Sequence, residues 1–129
     1  MRRSSWILAL VTDLVLVVLF SAIGMRTHEG GFTIAGLLGV AWPFAAGAVI
    51  GWLVARAWRR PAGMWPAGVL VWLFAVVAGL ILRVATGGGF AISFGIVTLL
   101  VLGLFLIGWR ALVGIYASLF GENSRLRRR

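Results

Sequence analysis

The chain has 129 residues, enough for one domain, of which 62% are hydrophobic and only 12% charged, with a mean hydropathy of +1.08. A water-soluble globule is excluded, because a small domain leaves too much of its surface in water to hide that apolar content. Zero cysteines exclude disulfide scaffolds and thiol-ligated zinc, and the net charge of +9 comes from arginines at the ends of apolar runs, without the single basic face that nucleic-acid binding needs.

A bilayer core of roughly 30 Å takes about 20 helical residues, and four stretches reach that length. The first, 6–24, is interrupted only by Thr12, Asp13 and Ser21. A cleaved signal peptide competes for this stretch, with Arg2-Arg3 as its basic start and Ala22-Ile23-Gly24 as small residues near a cleavage point; Asp13 in the middle of the apolar run opposes it. The second stretch, 32–54, carries no charge and contains Pro43, whose ring would clash with the carbonyl of Gly39, so a kink is expected there. The third, 65–82, is charge-free and ends against Arg83. The fourth, 90–109, is charge-free and ends against Arg110.

Apolar character continues past Arg110 to Phe120, and one helix over 90–120 would measure about 46 Å, longer than the bilayer core. Leu112, Ile115, Tyr116, Leu119 and Phe120 recur at helical spacing, which reads as a short helix lying in the membrane interface. The alternative is a fourth span shifted inward, with Arg110 partly buried. Strands are excluded by the length of the runs and their lack of alternation. The fold expected is therefore all-α: an integral membrane four-helix bundle over 1–112, followed by an interfacial helix and basic tail over 113–129.

Arginine asymmetry sets the orientation. The N-terminus, the middle loop (Arg56, Arg59, Arg60) and the C-terminal part (Arg110, Arg125, Arg127, Arg128, Arg129) carry ten arginines, whereas the other two loops carry only Arg26 and Arg83. Both termini and the middle loop are thus placed in the cytoplasm, in a plasma membrane. Trp6, Trp58, Trp65 and Trp109 fall at that same boundary, as an aromatic belt would. Gly47 and Gly51 form a GxxxG pair extended by Ala55, and Ala75 with Gly79 forms another small pair; both suit close helix packing. Arg26 before Gly30-Gly31-Phe32 and Arg83 before Gly87-Gly88-Gly89-Phe90 hint weakly at a duplicated hairpin.

Few residues carry chemistry. The acids Asp13, Glu29 and Glu122 are scattered, and His28 is the only histidine, so no catalytic constellation, cofactor or metal site is expected. Asp13 stands out, because a carboxylate inside a span normally faces other helices and has a partner. It lies seven residues from Trp6, about 10 Å inside the boundary. Trp72 lies at nearly the same depth in the third span, and Arg56 and Arg110 sit near the boundary on stems long enough to reach inward. Asp13 with Trp72, Arg56 and Arg110 is the candidate intramembrane site. Arg26, His28 and Arg83 form a candidate polar cluster at the opposite face, suited to an anionic headgroup or to plain solvation. The arginines at 125–129 should attract anionic lipid.

Several motifs together resemble a small actinobacterial and archaeal membrane family, domain of unknown function 3054. They are Asp13-Leu14, Ala22-Ile23-Gly24-x-Arg26-x-His28, Ala41-Trp42-Pro43-Phe44, Gly51-Trp52-Leu53, Trp58-Arg59-Arg60-Pro61, Pro66-x-Gly68, Leu82-Arg83 and Gly108-Trp109-Arg110, spanning about residues 5–112. Where family members often carry a second charge after Arg26, this chain has Thr27. The resemblance implies a compact membrane protein of four helices and names no activity.

Two functions are weighed on these residues. The first is a non-enzymatic accessory or structural component of the cell envelope, in which Asp13 locks helices together. The second is an oligomeric small transporter or channel using Asp13 as a proton- or cation-coupled site; four short spans would need a homodimer or larger complex to enclose a path. A lipid-modifying enzyme ranks third, for want of acid–base groups. Membrane lipids are the partners expected, with no nucleic acid.

Overall fold

The computed structural model describes residues 3–26, 33–87 and 92–127, with side chains over 6–24, 33–87 and 92–120. Among these residues there are four helices and no strand: α1 (Arg3–Arg26), α2 (Ile34–Ala55), α3 (Val69–Ala85) and α4 (Ile92–Arg127). All four are long and apolar enough to cross a membrane, so this is a small multi-pass membrane protein. The two glycine turns compared as a repeat lie mostly outside the described residues, as do His28 and Glu29.

Local chemistry accounts for the helix ends. The Thr33 hydroxyl accepts from the Gly36 amide at 3.0 Å and caps the start of α2. At the other end Arg56 takes a left-handed conformation (φ 51°), while the Arg56 and Ala57 amides donate to Leu53 and Trp52 carbonyls. That is a Schellman turn with arginine where glycine is usual. The loop then passes through Pro61 and Gly63 to an irregular turn, Met64–Gly68, in which Trp65 is extended. Helix α3 therefore starts four residues later than the apolar run. The kink expected at Pro43 does not interrupt α2, which remains helical from Ile34 through the buried proline to Ala55.

α2 and α3 pack most intimately, and glycine is the reason. A Cβ on Gly47 would lie 2.5 Å from the Phe74 carbonyl oxygen, one on Gly51 2.8 Å from Val71 Cα, and one on Gly79 2.5 Å from the Phe44 ring. The two small-residue pairs face each other within one chain, so backbone contact replaces the hydrophobic drive that lipid removes. Phe44, fully buried, sits edge-on to Phe20 of α1 at 5.6 Å and tilted against Phe94 of α4 at 6.2 Å. All four helices therefore meet around one ring.

Helix α4 is continuous for 36 residues with no break at 112, so the stretch from 113 expected as an interfacial helix continues the fourth helix as far as Arg127. Arg110 does not end the apolar span because its charge is buried and neutralised, as the next section describes. Arg110, which the alternative reading has partly buried, is fully enclosed. Helix α4 runs on for 17 residues beyond Arg110, about 26 Å.

Candidate functional site

Asp13 occupies the middle of α1, where a carboxylate without partners would be costly. It is fully buried and collects donors from two other helices. Arg110 of α4 grips it end-on, Nη1 donating to Oδ1 at 2.9 Å and Nη2 to Oδ2 at 2.7 Å. The Trp52 indole of α2 donates to Oδ2 at 2.8 Å, and the Trp109 indole of α4 donates to Oδ1 at 2.8 Å. Each carboxylate oxygen thus accepts two hydrogen bonds, from one guanidinium nitrogen and one indole. A bidentate fork of this kind matches the carboxylate plane and fixes direction as well as distance.

Arg110 is equally enclosed, at 1% exposure. Its Nε donates to the Pro61 carbonyl at 2.9 Å, and Nη1 donates a second time, to the Leu106 carbonyl one turn back, at 2.9 Å. Pro61 stands in the α2–α3 loop, so the loop is tied to α4 through the same guanidinium. Room for the arginine stem comes from Gly68, where a Cβ would lie 2.9 Å from Arg110 Cδ. The guanidinium carbon also lies 4.6 Å from the Trp109 ring centre. One ion pair therefore connects α1, α2, the α2–α3 loop and α4. It is the only salt bridge among the described residues, which leave no buried side-chain polar atom without a hydrogen-bond partner.

The other residues expected around Asp13 go elsewhere. Trp72 turns toward α4, its indole donating to the Leu99 carbonyl at 2.9 Å over the flat surface left by Gly103. Arg56 is exposed, carried outward by the turn that ends α2. Trp52 and Trp109 take the roles that depth counting gave to Trp72. Trp109 had been read as part of the interfacial belt, and Trp52 was noticed only as the neighbour of Gly51. A usable sign lies in the sequence, since Trp52 is one turn from the end of α2, the end that meets Asp13.

Of the cluster expected at the opposite end, Arg26 closes α1 with its side chain outside the described residues, and His28 lies outside them altogether. Arg83, in the last turn of α3, is half-buried with its guanidinium carbon 4.6 Å from the Phe94 ring centre. The described residues contain no group of three histidine, cysteine or acidic side chains that would hold a metal ion.

The family model described as "Protein of unknown function (DUF3054)" matches residues 10–113, and the chain belongs to that family, as its motifs suggested. The matched span takes in Asp13, Trp52, Pro61, Trp109 and Arg110. No curated protein and no solved structure matches the chain.

Proposed function

We propose that this family member is a non-enzymatic component of the plasma membrane, an accessory subunit or structural part of the envelope, with both termini in the cytoplasm. The observation that carries the reading is the state of Asp13. Both of its oxygens are engaged by a bidentate arginine and two indoles, which suits a clamp between helices. A coupled transporter would need that carboxylate to exchange a proton or cation during each cycle, so the closed set of donors favours the clamp. Arginine asymmetry between the chain's two sets of loops supports the orientation.

The test is flux through proteoliposomes holding the wild-type chain, assayed for protons, monovalent cations and lipophilic cations. The clamp reading expects no flux above protein-free vesicles, and it expects Asp13→Asn to act on folding and assembly alone. Flux that disappears in a correctly folded Asp13→Asn protein would overturn it and restore the transporter.

A further inference from the structure

The helices leave a cavity of about 450 Å³ at the end away from the termini, clear of the Asp13 clamp. Phe20 and Ile23 of α1, Val40 of α2, and Phe94 and Val97 of α4 line it, and among the described residues Arg83 of α3 is the one charged side chain on its wall. Ser21 and Ser93 add hydroxyls, of which that of Ser21 already donates to the Val17 carbonyl at 2.9 Å. The volume lies within the range of small-ligand sites, which are also mostly apolar with a few placed polar groups.

Three features define what fits. The wall offers too few polar partners to hold water well, and an empty cavity would forfeit dispersion contacts along its lining. Ile23 and Val97 at its edge are each about half exposed, so in a membrane the cavity opens toward hydrocarbon. The stretch of α4 that lines it, Ser93 to Val101, rises about 12 Å, which suits the upper part of an acyl chain. Arg83 stands in the last turn of α3, where helix meets headgroup layer, and its plane is steadied against Phe94. A guanidinium carries five donors, so it can grip a phosphate in addition to the contacts it already makes.

We propose that this cavity seats one acyl chain of an acidic membrane phospholipid, with the phosphate held by Arg83. The seat is independent of the clamp, and losing it would leave the reading of Asp13 untouched.

The experiment is native mass spectrometry of the chain taken from bilayer discs of equal parts phosphatidylglycerol and phosphatidylcholine, with thermal melting as a check on the fold. Wild-type protein should keep one phosphatidylglycerol in preference to phosphatidylcholine. Arg83→Gln should cut that retention about tenfold, the loss expected for one charge-assisted contact. Arg83→Lys should fall between the two, since it keeps the charge and loses the fork. Val97→Trp fills the cavity from its exposed edge and should abolish retention without lowering the melting temperature. Equal retention of both lipids, or no change in Arg83→Gln or Val97→Trp, overturns the proposal. Complete displacement of the lipid by inorganic phosphate would also overturn it, because the tail would then contribute nothing.

Discussion

Removing one partner of the Asp13–Arg110 pair tests the clamp most directly. Replacing Arg110 with Met leaves a carboxylate at zero exposure with only the Trp52 and Trp109 indoles to face it. Replacing Asp13 with Asn strands a buried guanidinium and turns one amide nitrogen, a donor, toward other donors. Breaking a buried pair from either side costs about 3–5 kcal/mol, most of it the penalty of the charge left behind. In the double variant no unpaired charge remains; the losses are the indole bond that now meets the amide nitrogen at position 13 and the Pro61 and Leu106 carbonyl contacts. The double variant should therefore lose no more than either single one. The coupling energy is then at least one single loss, about 3 kcal/mol, well above the ~0.6 kcal/mol typical of hydrogen bonds between membrane helices. The measurement is a double-mutant cycle by equilibrium unfolding in mixed micelles, followed by tryptophan fluorescence and near-ultraviolet circular dichroism. Additive losses, or single losses below about 1 kcal/mol, as for an exposed ion pair, would refute the argument.

Three further outcomes follow from the helix packing and its hydrogen bonds and one from a turn. Gly47→Ala puts a methyl 2.5 Å from the Phe74 carbonyl oxygen and should lower stability by about 1–3 kcal/mol in the same unfolding assay. Gly114→Ala, with nothing within 4 Å, should instead raise stability by a few tenths of a kcal/mol. Trp52→Phe should lose about 1–2 kcal/mol and couple to Asp13→Asn, whereas Trp72→Phe, bonded to Leu99, should show no coupling in the same cycle. Arg56→Gly should stabilise by up to about 1 kcal/mol, because it relieves a left-handed arginine at φ 51°. A loss of melting temperature in that variant would show that the Arg56 side chain has a contact worth more than the strain.

Helix number and rough position were legible because charges and glycines bracket the apolar runs. Asp13 was legible as an intramembrane acid, and Arg110 was among its candidate partners because a long stem near the right depth can reach it. What counting residues from a boundary yields is height along the membrane normal. It carries no angle around the helix, and Trp72 failed on that account: its height was near enough, but its indole faces α4. Arg56 failed for a different reason, a backbone turn that sends the side chain outward. Arg110 was first read as the boundary of the fourth span, because in one dimension a charge looks the same whether it meets water or a carboxylate 97 residues earlier.

That separation also dictates an order of events during biogenesis. The aspartate is synthesised and threaded into the membrane first, and its arginine follows 97 residues later. At about 5–20 residues per second, the acid waits roughly 5–20 seconds for its counterion. The Trp52 indole arrives in the interval and can shelter one oxygen, but charge neutrality comes only with α4. α4 is therefore the keystone of assembly: a chain truncated before Arg110 would carry an uncompensated carboxylate in hydrocarbon, at a cost of several kcal/mol.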